Sequence, residues 1–326
     1  MIIKTLEKSF YSDWNSFVRK SPQGSLFSET WYLDILKVKY QVLCVIDEDN
    51  SIIAGIVLAK NQINTYSNPM LDKYLGVLLK DEVLPRSQKT LSKQYKAQEL
   101  LVSDLKKYKS FDYYFHSNYT NWIPFYWKGF TQQTRYTYRI NLKENIDDIQ
   151  KKFHGNLRND IKNAIKNDIN IIRDIDFDSF FDIINKTFLR QGSKAPFDKL
   201  KLKSFIEKMN NKGCYNSFAA RDSKGNTIAV CGIVHDSKSS YLILNGIDIK
   251  KHIRGANALM LFESIKYYQS KCNLYDFEGS MLPGVEQFYR RFGGELASYY
   301  RIWSDNFFNY TKTKAKKVYK KMRYGR

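Results

Sequence analysis

The sequence predicts two related α/β domains in tandem, each a mixed sheet with helices packed on it. The second half reads as strand, two helices, three strands, helix, strand, helix, strand, and the first half gives a rougher copy of that order. The closing segments of the two halves also carry matching residues at matching spacing. The chain has 326 residues, which at roughly 100–200 residues per domain is about two domains. A 43% hydrophobic share, with aromatics alone at 15%, supplies cores and excludes disorder over most of the length.

In chain order, residues 1–5 read as a strand and residues 11–19 and 30–38 as helices. Strands at 41–47 and 51–60 flank the turn sequence DEDN. A strand at 74–79, a helix at 93–107 and strands at 111–116 and 135–141 follow. Residues 151–168, KKFHGNLRNDIKNAIKND, read as a connecting helix. In it Phe153, Leu157, Ile161 and Ile165 form an apolar stripe, and Arg158, Lys162 and Lys166 a basic one. The basic stripe is either a phosphate or tRNA contact or an ordinary solvated helix face. Next come a β-branched strand at 169–173 and a helix at 177–189, with Phe177, Phe180, Phe181, Ile184 and Phe188 at helical spacing. A second helix covers 199–209. Strands at 215–221, 227–235 and 240–248 are separated by the turn sequences DSKGN and DSKSS. A loop holding Gly255 then leads into a helix at 258–270, a strand at 273–277, a helix at 285–292 and a last strand at 298–303.

Phe115, Phe125-Tyr126 and Arg139-Ile140 correspond to Phe277, Phe288-Tyr289 and Arg301-Ile302. Phe115 to Arg139 and Phe277 to Arg301 are both 24 residues apart. The first domain is therefore expected over 1–142, completed by residues 304–326 as a helix that returns to it, and the second over 143–303.

The formal charge of +20 favours an anionic partner. After Asp305 there is no acidic side chain, while Lys312, Lys314, Lys316, Lys317, Lys320, Lys321, Arg323 and Arg326 follow. That tail is a solvated helix face or a contact with tRNA or with a membrane surface. The longest apolar run, residues 52–59, is far short of the roughly 20 residues a membrane-spanning helix needs, so no transmembrane segment is expected. The start lacks a charged-then-apolar signal region. The four cysteines lie far apart without a CxxC, and there are only four histidines, so neither a disulfide framework nor a metal site is expected. These features fit a cytoplasmic protein, with the tail available to the inner face of the membrane.

The strand that runs through a glycine turn into a helix resembles the GNAT acyltransferase fold. The stretch YDFEGSMLPGVEQFYRRFGGE (275–295), with NWIPFYWKGF (121–130), RYTYRINL (135–142) and NLRNDIKNAIK (156–166), resembles its Fem-type and related tandem-domain branch. The resemblance implies two GNAT-like domains that transfer an acyl or aminoacyl group to an amine of a cell-envelope or polysaccharide precursor. Acyl-CoA, in particular acetyl-CoA, is the implied donor. Aminoacyl-tRNA acting toward a peptidoglycan precursor is the alternative, and a non-catalytic tandem binding module is a further one. The donor turn is His252-Ile253-Arg254-Gly255-Ala256-Asn257-Ala258. Gly255 fits the family pattern, while His252 stands for a Gln or Arg and Asn257 for a small residue. Arg254, Gly255, Ala256 and Asn257 are the expected donor contacts, together with Asn245 and Gly246 at the end of the preceding strand. Residues 81–95 of the first half contain no glycine, so the second domain alone is expected to hold the donor.

Acyl transfer to an amine needs a base for the amine, hydrogen-bond donors for the carbonyl oxygen and an acid for the leaving group. Asp276 and Glu278 are two apart and share a face of a strand. Glu278 is the candidate base with Asp276 behind it, unless the pair caps the next turn or binds Arg290 and Arg291. The resemblance implies Tyr289 as the acid, although a packing role fits it as well. Ser280 either binds substrate or shapes the turn. Fem-type proteins hold an anionic or lipid-linked sugar substrate with basic residues, which implies roles for Lys37 and Arg190.

Overall fold

The computed structural model describes residues 1–62, 65–80, 88–190, 192–251, 253–279 and 281–305. Ser280, His252 and the basic tail after 305 lie outside the described residues. The elements in chain order are β1 (Ile2–Thr5), α1 (Tyr11–Lys20), α2 (Thr30–Ile35), β2 (Lys39–Ile46), β3 (Ile52–Gln62), β4 (Thr65–Ser67), β5 (Leu78–Leu79), α3 (Gln88–Leu105), β6 (Ser110–Tyr114), α4 (Ile123–Trp127) and β7 (Thr131–Asn141). They continue with α5 (Ile146–Lys151), α6 (Gly155–Lys166), β8 (Asn170–Arg173), α7 (Phe177–Arg190), α8 (Lys199–Asn211), β9 (Tyr215–Arg221) and β10 (Thr227–His235). Then follow β11 (Ser239–Ile247), α9 (Ala256–Tyr268), β12 (Leu274–Asp276), α10 (Pro283–Arg290) and β13 (Glu295–Asp305).

The chain divides into two compact units. One takes residues 1–135 and the strand residues from 299 onward, and the other takes residues 136–298. Within the first unit β1, β2, β3 and β4 follow one another as antiparallel neighbours, β4 pairs parallel with β6, and residues 301–305 of β13 close the sheet beside β6. The second unit repeats this: β8, β9, β10 and β11 are antiparallel neighbours, β11 pairs parallel with β12, and residues 139–141 of β7 close it. The repeat is thus real, but the strand that closes each unit comes from the other half of the sequence. Phe115 N–H donates to Tyr300 O at 2.8 Å, and its counterpart Phe277 N–H donates to Tyr138 O at 3.1 Å. This is why the units divide at 135/136 and 298/299 beside the expected ranges 1–142 and 143–303; the expected returning helix, from 306 on, lies outside the described residues.

Three further expectations are corrected. The helix expected over 151–168 is two helices, α5 and α6. His154 caps the second, its Nδ1 accepting from Asn156 N–H at 3.2 Å. Phe153, Leu157 and Ile161 are buried as the stripe predicts, but Ile165 is 59% exposed. The fourth strand of the first half is β4, not residues 74–79. In that segment Tyr74, Leu75, Val77 and Leu78 are buried, and Leu75 N–H donates to Tyr114 O at 3.0 Å. β5 within it pairs with β3 through Ala54 and Gly55, beyond the end of β4. The segment therefore fills the space between β3 and β6.

Each core is built on an aromatic cluster. In the second unit Phe153 lies 5.2 Å from Phe262 and 5.3 Å from Phe292, and Phe292 lies 5.1 Å from Phe277. These rings lock α9 and the α10 region against the end of β12. Each such side chain contributes about 1.5–3 kcal/mol by leaving water.

Candidate active site

β11 and β12 pair over only three residues, Ser239–Tyr241 against Leu274–Asp276. β12 then ends, because Glu278 and Gly279 adopt left-handed backbones (φ 58° and 66°) that turn the chain away. A Cβ on Gly279 would lie 2.0 Å from Tyr136 O, so only glycine fits there. β11 runs on to Ile247 with β10 on its other edge, and a bulge at Ile243 redirects it, since Leu242 and Leu244 oppose consecutive residues of β10. The divergence opens a cleft of about 830 Å³ on the free edge of β11. Its walls come from α7, the start of α9, the loop after β12 and α10.

The start of α9 faces this cleft. Gly255 has φ 90°, and a Cβ there would lie 1.8 Å from Asp160 O, so the turn is pressed against α6. Leu259 N–H donates to Gly255 O and Ala256 N–H to Ile253 O. The N–H groups of Gly255, Asn257 and Ala258 have no acceptor among the described residues. Free N–H groups at the positive end of a 13-residue helix make an anion site. The side chains around it are held by Asp160: Arg254 Nε donates to Oδ1 at 2.6 Å, and Arg291 donates to Oδ2. Burial pushes the Asp160 carboxyl up, but Arg291 and Arg254 outweigh it and hold the group below the usual carboxylate value. A second cavity of about 840 Å³ shares Asp160, Arg254, Arg291 and Phe288 with the first and adds His154, Gln287 and Arg290. It is a basic chamber of three arginines, Arg254 and Arg291 paired with Asp160 and Arg290 with Glu286.

Across the cleft Tyr289 is buried, its ring stacked on Phe277 at 4.9 Å. Burial pushes its hydroxyl up to about 12; the Asn245 side chain beside it pulls the other way and the Glu278 carboxylate adds to the rise. Such a hydroxyl stays protonated at neutral pH and has a proton to donate. The Oδ1 atoms of Asn245 and Asn257 are buried in the cleft wall with no hydrogen-bond partner among the described residues. They are acceptors available to a bound group.

The structure therefore gathers Glu278, Tyr289, Asn245, Gly246, Arg254, Gly255, Ala256, Asn257 and Arg190 around one cleft. Gly246 is there for packing: a Cβ would meet Thr187 Oγ1 at 3.0 Å and Ile184 at 3.1 Å on α7. Asp276 does not reach the cleft. It is 1% exposed, ion-paired with Arg139 Nε at 2.9 Å, and accepts from Thr137 Oγ1 at 2.6 Å and from Glu278 N–H at 2.8 Å. The shared-face argument for the two carboxylates fails because the strand stops at Asp276. Asp276 is instead the anchor of the turn that presents Glu278. Lys37 is exposed at a left-handed turn after α2 (φ 55°) in the first unit and does not line the cleft. Asp160 and Thr137 were not singled out by the sequence, Arg139 only as a marker of the repeat, and Arg291 only as a partner for the Asp276–Glu278 pair, whereas it binds Asp160. Asp160 had one legible signal, as the lone acid within an otherwise basic helix.

Among the described residues the edge of β4 shows no such divergence, since its three residues all pair with β6. The 74–79 segment occupies the space beyond, and Gly76 lets it close on Phe115, whose ring a Cβ would meet at 2.3 Å. The glycine-free stretch 81–95 lies in part outside the described residues.

Comparisons with protein-family models and with curated proteins find no match. Comparison with solved structures does find similar folds. FemX aligns over 92% of this chain and 97% of its own, with TM-score 0.69 and 12% identity. A tandem GNAT protein of the clavulanic acid biosynthesis pathway aligns over 93% and 97%, with TM-score 0.55 and 9% identity. L-PGS from Bacillus licheniformis aligns over 94% of each chain, with TM-score 0.54 and 10% identity. With its repeated units and its splayed strand pair, the chain has the tandem GNAT fold found in Fem-type and related proteins.

Proposed function

We propose that the protein is an acyltransferase of the GNAT type. It would move an acyl group, acetyl in the first instance, from acyl-CoA to an amine of a cell-envelope or polysaccharide precursor. The observation that carries this reading is the set of free N–H groups at the start of α9, which open onto the same cleft as Glu278 and Tyr289. A phosphate-bearing donor held at that turn directs its activated carbonyl along the free edge of β11. Backbone N–H groups on that edge stabilise the developing oxyanion. Glu278 takes a proton from the attacking amine and Tyr289 gives one to the departing thiolate. Arg190, exposed at the rim, offers a cation to an anionic acceptor. The resemblance to Fem-type transferases supports the choice of acceptor.

Titration calorimetry with acetyl-CoA tests this. Binding at sub-millimolar concentration that weakens in Gly255→Ala is expected, and no binding at that concentration would overturn it. A second reading, aminoacyl-tRNA as donor, is favoured by the basic chamber beside the cleft. That reading expects tRNA affinity to fall steeply with salt, and an absence of tRNA binding at low salt removes it.

A further inference from the structure

Far from the transfer chemistry in sequence, the first unit exposes a group of large side chains that its core does not use. Helix α4 buries Pro124 and Phe125 and turns Ile123, Tyr126 and Trp127 to solvent, at 41%, 64% and 58% exposure. They are not scattered singly. The Trp122 ring lies 5.6 Å from Tyr126, and Tyr95 on α3 lies 6.1 Å from Trp127. A contiguous exposed patch of this kind marks an interaction site.

The surroundings decide the partner. Lys128 is exposed directly after the helix, Lys96 is exposed next to Tyr95, and exposed Lys106 holds its Nζ 5.5 Å from the centre of the Phe130 ring. From residue 113 to residue 143 the sequence contains no aspartate or glutamate. Tyr and Trp join an apolar ring to a polar edge, and Lys joins an apolar stem to a cation. Both settle where hydrocarbon meets water and negative charge. The lysines around the rings, with no acid from residue 113 to residue 143, complement the negative charge of an anionic lipid surface.

We propose that the α4 face docks on the surface of an anionic phospholipid bilayer. Ile123, Tyr126 and Trp127 enter the headgroup region, and Lys96, Lys106 and Lys128 face the lipid phosphates. Attraction of lysines to an anionic leaflet adds to the apolar contribution and falls with salt.

Vesicle sedimentation with the full chain tests the proposal, using phosphatidylcholine vesicles with and without phosphatidylglycerol. The chain is expected to partition onto the phosphatidylglycerol vesicles. The double substitution Tyr126→Ser, Trp127→Ser is expected to lower that partition about tenfold or more with an unchanged melting temperature. Because the basic tail remains in this variant, the drop reports on α4 alone. The proposal is overturned if the chain binds neither vesicle or if the double variant partitions like the parent. It is equally overturned if the substitutions abolish self-association or tRNA binding while leaving vesicle binding intact.

Discussion

Asp276 and Glu278 differ by one intervening residue and have opposite fates. Asp276 is sealed among Arg139, Thr137 and the Glu278 N–H, whereas Glu278 opens onto the cleft. Asp276→Asn leaves the Arg139 charge buried without its partner and is expected to cost about 3–5 kcal/mol in urea denaturation. Glu278→Gln is expected to shift stability by no more than about 0.5 kcal/mol while sharply reducing turnover. Tyr289→Phe should lower kcat by about 10²-fold. Its hydroxyl, pushed up to about 12, stays protonated through the assay range, so the variant should keep the shape of the parent pH–rate profile. Asp160 gives a stability prediction with a definite sign. Its folded pKa lies below the unfolded value, so its contribution is full above about pH 4 and is lost as pH falls through the folded value. Asp160→Asn is expected to cost about 1–3 kcal/mol at pH 7, and the gap to the parent should close in acid denaturation series below about pH 4. The candidate base was legible from residue type and position. Its partner's role was not, because alternation holds only within a strand and says nothing about where the strand stops.

Elements with a clean period were readable almost to the residue. β9 and β10 fall where alternation and the turn sequence DSKGN put them, because both ends are set by local chemistry. Residues 74–79 misled for a physical reason. A segment that plugs a gap in a sheet must be as apolar and extended as a strand, and composition cannot tell the two apart. The turn before α9 was legible through Gly255 alone, yet the reason for that glycine is a contact 95 residues back in the chain. With φ at 90° and Asp160 O at 1.8 Å from a virtual Cβ, both the backbone and the space exclude a side chain. Gly255→Ala is therefore expected to cost more than about 2 kcal/mol and to separate α6 from the start of α9. Hydrogen exchange would read this as faster exchange in the first turn of α9, with β9 and β10 unchanged.

At the scale of the whole molecule the repeat is legible, but the source of each closing strand is not. Exchanging residues 139–141 with residues 301–303 leaves every periodicity unchanged, so only the strand pairing in the folded chain distinguishes the two arrangements. The same comparison shows what the described residues of the first unit place where the second unit has its cleft. The residue of the first unit equivalent to Glu278 is His116, which is buried and lies edge-on to Tyr74 at 5.3 Å. The equivalent of Tyr289 is Tyr126, which is exposed on α4 and not stacked in a cleft. The equivalent of the opening between β11 and β12 is filled by the 74–79 segment. Donor titration is accordingly expected to give one site per chain. His116→Asn should keep kcat within about twofold of the parent, while Glu278→Gln sharply reduces turnover with the donor stoichiometry unchanged. Two donor sites per chain, or loss of turnover in a stably folded His116→Asn, would mean that the first unit retains chemistry of its own.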